Sequence, residues 1–525
     1  MLKPFSFCLL LLVCFLGYAE NALAQPLTGF GYTKQWRVES SLVHKPGLAS
    51  VWEMEVGEGR AQVIGSNRAL IVASGGWADS EKRQVRTQIS AHRSEDGKQL
   101  WSFEQVGPLC ENQQTFGGAE PAPQATPLLL GNRLIYVSFT GQLTCLNANN
   151  GEQLWTVDLV QELGAEPVQF GFSSSPVPAP DVKDDFLILA GGERGGLFRF
   201  SVESLQPQWV CPIAGFSYST PTWSSIQGKS QWLVAAQDSI LGIAPHGSEL
   251  WRFNLPERGL TNVPSPLIVD DQHILVSGQG CQGTICISVQ LQDEQWSVER
   301  DWSSRRLQFF YTNWMMLDDQ LTFGSTANYL AVFEASTGNI LARLRDFRNG
   351  NVIQTKDDYL LLDGTGMLHW LKYDANKGIL ELTHRYELTK GRCWVPPTLI
   401  GDKLFVREGQ KLLCLQFQAK TEMGLNDLVE KARTKVFALE STVGEPDPVS
   451  QILELFEKKG QLQALSLYNK LRSEKKLELS HRIALTEAAY EAGQQALAQM
   501  IVDHAKEDFP DSDDLQRAIS TWKGK

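Results

Sequence analysis

Residues Gly131–Trp155, GNRLIYVSFTGQLTCLNANNGEQLW, set out the repeating unit of this chain. An apolar strand over Arg133–Phe139 ends at a Thr-Gly turn, and an alternating strand over Gln142–Asn147 ends at Asn-Asn-Gly. A third strand opens at Leu154-Trp155. Short β-rich runs between Gly and Asn turns make an antiparallel meander. A single meander cannot bury both of its faces, so it requires similar copies packed beside it.

The copies are present. The apolar strand recurs as ALIVASG from Ala69, RLIYVSF from Arg133, FLILAGG from Phe186, WLVAAQD from Trp232, HILVSGQ from His273, QLTFGST from Gln320, YLLLDGT from Tyr359 and KLFVREG from Lys403. Each is followed by a turn of small residues and another short strand. Units of about forty residues with about four strands apiece are propeller blades. Eight starts predict an all-β, eight-bladed propeller.

Two markers recur in register. Gly-x-x-x-Trp closes several units, as Gly97–Trp101, Gly151–Trp155 and Gly247–Trp251, while Trp209 and Trp296 stand at the same point without the glycine. Gly338 and Gly378 keep the turn in two later units, with Ala342 and Leu382 in place of tryptophan. Ser/Thr-Pro precedes several units, at Thr126-Pro127, Ser175-Pro176, Thr220-Pro221 and Ser265-Pro266, with Pro396-Pro397 as a variant. Proline can open an inner strand without cost if that position donates no ladder bond.

The pattern best seen from Leu146 to Trp155, and echoed in FEASTGNIL, resembles the tryptophan-docking repeat of quinoprotein-like (PQQ-type) eight-bladed propellers. That family includes pyrroloquinoline quinone alcohol dehydrogenases and the outer-membrane assembly scaffold lipoprotein BamB. The resemblance covers roughly Thr28 to Gln418 and speaks to fold rather than activity. It implies structural docking roles for Trp101, Trp155, Trp209, Trp251 and Trp296. The eighth unit lacks its own outer strand and tryptophan, so the strand around Trp36 is expected to complete it. Closing the ring in this way removes exposed sheet edges.

The chain of 525 residues carries a formal net charge of -12. That balance argues against a nucleic-acid binder, which draws affinity from neutralising phosphates. At the start, MLKPFSFCLLLLVCFLGYAENALAQ has one lysine, an apolar run over Phe5–Leu16 and Ala22-Leu23-Ala24 before Gln25. This reads as a secretory signal cleaved after Ala24, too short to span a membrane. Cys14 follows Val13 rather than a small residue, which does not make a lipidation site. The expected address is periplasmic or secreted.

Three domains are expected: a signal peptide over residues 1–24, the propeller over 25–420 and an all-α, TPR-like domain over 421–525. Helical spacing runs over Met423–Leu439, Pro448–Lys459, Leu462–Arg472, Glu478–Ala492, Gln495–Lys506 and Leu515–Trp522. Ala488, Gly493, Ala498, Ala505 and Pro510 fall on the small-residue and terminal-proline positions of a tetratricopeptide unit. Three long excursions, Phe103–Ala125, Asp158–Ser174 and Gly75–Arg86, mark loops able to carry binding on a rigid frame.

Catalytic motifs are scarce. There is no Cys-Cys dipeptide, His-x-x-x-His, Cys-x-x-Cys or Gly-x-Ser-x-Gly. After the signal, seven cysteines remain. Cys145 and Cys286 read as small buried residues, and Cys110, Cys211 and Cys393 as candidates for pairing. Cys281 and Cys286 could form a local disulfide or bind metal, but Cys286 on a strand and Cys281 in the turn before it read as structural. His92 and His246 lie near blade turns, and Asp184-Asp185, Asp270-Asp271 and Asp357-Asp358 read as turn residues. No catalytic, cofactor-binding or metal-ligating residue is assigned, and no cofactor is expected. The sequence reads as an exported, non-catalytic scaffold or binding protein of the bacterial cell envelope that engages a protein partner. The alternatives are a PQQ-dependent oxidoreductase and a propeller that binds a glycan or small ligand.

Overall fold

The computed structural model describes residues 47–418, apart from 116–118, 205, 216, 257–263, 310 and 356–357. Beyond them it describes 429–430, 435–438, 449, 452–453, 461–473, 477–491, 495–510 and 512–522. Residues 1–24, expected to be a signal, and Trp36 lie outside the described residues. Two compact units divide between Leu439 and Glu440.

The first unit is the eight-bladed propeller. Seven blades are consecutive four-stranded antiparallel meanders, running over 64–108, 128–158, 177–212, 222–254, 267–304, 314–344 and 351–387, the last extended at its outer edge by two further short strands. The eighth takes three strands from 398–418, and its outermost strand is Gly47–Glu55 from the other end of the chain. The apolar repeats are the second strand of each blade, and they are buried on both faces, as over Leu134–Val137. That double burial is why they read as unbroken apolar runs. Outermost strands are covered on one face only, so Gln99–Pro108 alternates between exposed and half-buried positions. The core lies between neighbouring blades. Ile71 and Ile89 of blade 1, for example, share a cluster with Leu134, Tyr136 and Leu146 of blade 2.

One belt of contacts holds the blades near their outer strands. In it, the tryptophan of one blade lies on the turn glycine of the next. Trp101 Nε1 donates to Ala148 O at 3.0 Å, and Trp155 Nε1 donates to Val202 O at 2.8 Å. Gly151 has φ +75°, and a Cβ there would stand 2.5 Å from the Trp101 ring. Glycine is required on both counts. Gly247 seats Trp209 in the same way. Trp251 is buried between blades 4 and 5 and donates to Gln231 Oε1 at 2.7 Å.

Two docking assignments are corrected. The strand that closes the ring places Trp52 in the belt, where it lies on Gly97 and donates to Ser94 O at 3.3 Å. In blade 5 the docking residue is Trp302, not Trp296. Trp302 lies on Gly338 and donates to Ala335 O at 3.0 Å, whereas Trp296 packs back with Leu250 and Phe253 of blade 4. The cause is a longer hairpin: pairing runs on from Cys286↔Trp302 to Gln292↔Gln295, so sixteen residues separate Cys286 from its tryptophan where ten separate Cys145 from Trp155. A β-bulge precedes Trp302, where the pairing shifts between Trp302↔Cys286 and Arg300↔Ile287 and Asp301 is an extra residue. One extra residue turns every later side chain to the other face. The same bulge precedes Trp52, Trp101, Trp155 and Trp251, at Val51, Leu100, Leu154 and Leu250. Its outward residue accounts for three of the exposed large apolar side chains, Val51, Leu100 and Leu154.

A second belt joins the innermost strands, and the Ser/Thr-Pro motifs supply much of it. Gln62 N–H donates to Thr126 Oγ1 (3.3 Å), Thr126 N–H to Ser175 Oγ (2.9 Å) and Ser175 N–H to Thr220 Oγ1 (3.0 Å). Ser265 Oγ donates to Thr220 O (3.0 Å), and Trp314 Nε1 to Ser265 O (3.2 Å). Asn313 and Val352 exchange a reciprocal pair, Asn351 Nδ2 donates to Trp394 O, and Gln62 Nε2 donates to Pro397 O. Every blade boundary is thereby bridged. Each motif hydroxyl satisfies a backbone group that its own sheet leaves unpaired.

The helix expected over Met423–Leu439 is corrected as well. Residues 429–430 and 435–438 are short strands that pair with Ile379–Glu387, the outer strand of blade 7. The β-prone run Lys-Val-Phe-Ala finds an open edge there, and pairing outweighs the helical spacing. The compact division consequently falls later than the change of composition at Lys420. The second unit holds helices Gln461–Ser473, Leu479–Glu491, Gln495–Asp508 and Asp513–Trp522. Its core gathers Tyr468, Leu471, Leu485 and Ile501, and Ala498 and Ala505 are buried. Arg472 pairs with Glu507 and Asp508, and Tyr468 stacks on His504 at 5.9 Å.

Candidate functional site

A four-stranded meander brings its central hairpin and its link to the next blade to one edge, so all eight such links share one face of the ring. The docking tryptophans are not brought together: each occupies its own blade boundary and has a structural role. The chemistry gathers instead at the link face, in two arcs.

The cationic arc surrounds blade 8. Arg60 comes from the link between blades 8 and 1, Arg392 and Trp394 from the link between blades 7 and 8, and Arg407 from the end of a blade 8 strand. The Arg60 guanidinium lies over the Trp394 indole, 5.7 Å from its centroid, and that of Arg392 lies 5.4 Å from the same centroid. Trp394 keeps 37 % of its surface exposed. Arg407 is buried and donates to backbone carbonyls, to Ala73 O at 2.8 Å and Gly57 O at 2.6 Å. Burial brings its pKa down to about 10, Glu58 opposing the fall and Arg60 adding to it, so it remains a cation at neutral pH. Burial also lowers Arg60, against the pull of Glu58. The Nη2 of Arg60 is buried with no hydrogen-bond partner among the described residues.

The aromatic arc comes from the links after blades 2, 3 and 5, with Phe170, Tyr218 and Tyr311. Phe170 and Tyr218 meet at 6.5 Å, and Phe170 N–H donates to the Tyr218 hydroxyl at 3.1 Å. Burial pushes the Tyr218 phenol up to about 12. Tyr311 is half exposed, at 50 %. Sequence reasoning placed binding on long loops, and Phe170 does lie in one of them, Asp158–Ser174, but it missed the other residues of both arcs. The run Lys390-Gly-Arg-Cys-Trp394, a basic pair flanking an aromatic in an acidic chain, was the available signal.

The other sequence candidates are structural. Cys110, Cys145, Cys211, Cys281, Cys286, Cys393 and Cys414 are free thiols, and burial raises all of them, Cys145 to about 12. Such thiols are poor nucleophiles. Cys145, Cys286 and Cys414 pair across their sheets with Trp155, Trp302 and Trp52. His92 bonds Gly97 O and Ser90 within its own turn, and His246 bonds Ser248. Asp270 caps the backbone at Gln272 and His273, and Asp185 pairs with buried Arg199. A His369–Asp363 pair lies buried inside blade 7, closed to any substrate. A pyrroloquinoline quinone centre with a vicinal disulfide and carboxylate-held calcium does not fit these residues. No two cysteines are adjacent, and among the described residues no three metal-ligating side chains converge.

Residues 85–343 match the family model described as Outer membrane protein assembly factor BamB. The ring is a propeller of the quinoprotein-like, PQQ-repeat type. Within that class the chain is BamB-like. No curated protein sequence matches it. Among solved structures, BamB from Moraxella catarrhalis is 16 % identical, covering 72 % of this chain and 100 % of its own, at a TM-score of 0.45. A europium-containing methanol dehydrogenase is 10 % identical over 75 % of this chain and 98 % of its own, at 0.47. The Neurospora crassa Pan2 WD40 domain is 7 % identical over 72 % and 98 %, at 0.39. At these identities the likeness does not reach to activity. No helix among the described residues is long and apolar enough to cross a membrane.

Proposed function

We propose that the chain is an exported, non-catalytic scaffold or binding protein of the bacterial cell envelope that engages protein partners through its propeller. The match of residues 85–343 to the BamB family carries this reading. The link face supports it, because exposed Trp394 and Tyr311 on a ring braced by two belts suit recognition better than turnover. The signal-like start supports the address.

Two measurements test the reading, one in cells and one on the purified chain. A photo-crosslinking residue at position 311, introduced in cells, is expected to trap envelope proteins. Titration with pyrroloquinoline quinone and calcium is expected to leave the melting temperature unchanged. Saturable quinone binding with a raised melting temperature and dye-linked oxidation of an alcohol would overturn the scaffold reading.

A further inference from the structure

We infer that the cationic arc beside blade 8 receives an acidic peptide segment of the partner, its carboxylates bound by Arg60 and Arg392 with Trp394 between them; this rests on the protein-binding reading above. Two like charges over one indole repel each other, and Arg407 adds a third cation close by. Glu58 and Glu408 are the nearby carboxylates, Glu408 packing under Gly391. Neither lies within ion-pair distance of Arg60 or Arg392 among the described residues. The guanidiniums are therefore gathered by cation–π contact and left with donors to spare, which is the form of a preorganised carboxylate site.

The charge balance points the same way. A chain of net charge -12 repels acidic segments in general, so a local group of arginines selects for them at one place. With guanidiniums over the indole, Trp394 is less able to offer a face for sugar stacking, which favours a peptide over a glycan. The backbone of the site is fixed from outside it. Asn351 Nδ2 holds Trp394 O at 3.2 Å, Cys393 N–H donates to Gly364 O, and Gly59 packs against the buried Arg407 head.

The test uses the purified full chain and a fluorescein-labelled peptide of alternating Glu and Phe, with the Gln-Phe peptide as its control. Anisotropy is expected to show salt-sensitive binding of the acidic peptide alone. A charge-assisted contact is worth enough that Arg392→Gln should raise Kd about tenfold, with Arg60→Gln adding to it. Arg392→Lys should recover part of the loss. Because Arg392 is exposed, R392Q is expected to melt with the wild type, which separates binding from folding. Equal binding of both peptides, or of wild type and R392Q, overturns the inference while crosslinking at position 311 leaves the scaffold reading in place. Displacement of the probe by polygalacturonate at lower concentration than by unlabelled peptide overturns it in favour of a glycan. Displacement by pyrroloquinoline quinone overturns it together with the scaffold reading.

Discussion

Replacing Trp302 tests the docking belt where the structure departs from the sequence pattern. The indole sits over Gly338, meets Phe333 edge-on at 6.4 Å and donates to Ala335 O. Large-to-Ala changes of buried aromatics cost about 3–5 kcal/mol, and the half-buried Trp302 belongs at the low end, about 3 kcal/mol. Glycine beneath it cannot fill the space. At about 2.1 cal/mol/K per residue over roughly 370 residues, 1 kcal/mol moves the melting temperature by about 1.3 °C, so Trp302→Ala should lower it by about 4 °C. Trp302→Phe keeps a ring and loses one hydrogen bond, for about 1 kcal/mol. Trp296→Ala, near the hairpin tip, should also cost about 1 kcal/mol. Urea midpoints for the three variants, with equal slopes, give the comparison. If Trp296→Ala proves as damaging as Trp302→Ala, the assignment of Trp302 as the docking residue is wrong.

Three further outcomes follow from the same contacts. Gly338→Ala meets φ +72° and a Trp302 ring carbon at 2.7 Å, and should cost about 2–3 kcal/mol; Gly131→Ala, at φ +59° with open space around it, should cost only about 1 in the same denaturation assay. Thr220→Val leaves the Ser175 N–H buried without its acceptor and should cost about 1–3 kcal/mol, while Thr220→Ser should be nearly neutral by urea midpoint. Burial holds His369 below its ordinary pKa, and its Nδ1 accepts from Arg385, so the unfolded chain takes up the proton first. Stability from this group is present above about pH 6.5 and lost as pH falls, so His369→Gln should flatten the decline between pH 7 and 5; an unchanged slope refutes it.

The eight apolar strands were legible because double burial leaves them uninterrupted, and a period in the forties then counts the blades. The glycine of Gly-x-x-x-Trp was legible as a turn. Its second duty, seating the preceding blade's tryptophan, was not, because that contact joins residues about forty to fifty apart or slightly fewer, as Trp101 to Gly151 and Trp302 to Gly338. Trp296 was chosen by spacing from the inner strand. The longer hairpin of blade 5 defeats such counting, since it puts sixteen residues rather than ten between Cys286 and the tryptophan it faces. Closure by a strand from the other end of the chain followed from the missing outer strand, but the strand expected was the one around Trp36; the pairing with Lys411–Gln418 is made by Gly47–Glu55, which carries Trp52. The cationic arc was hidden for a different reason. Its parts lie more than three hundred residues apart in sequence and meet only because the ring closes.

That closure connects the frame to the site. After the bulge, where others carry the docking tryptophan, blade 6 carries Ala342 and blade 7 carries His384 rather than the Leu382 expected from spacing, so neither boundary has the outer tryptophan. The inner belt changes at the same two boundaries, from hydroxyls to amides. Asn313 makes a reciprocal pair with Val352, and Asn351 both accepts from Asn313 N–H and donates to Trp394 O. An amide supplies donor and acceptor together, so it recovers part of what the missing tryptophans would contribute. The last of these bonds ends on the backbone of Trp394 itself. The residue that gathers Arg60 and Arg392 is thus positioned by the belt that holds the ring, and a binding group set by the frame loses little freedom when its ligand arrives.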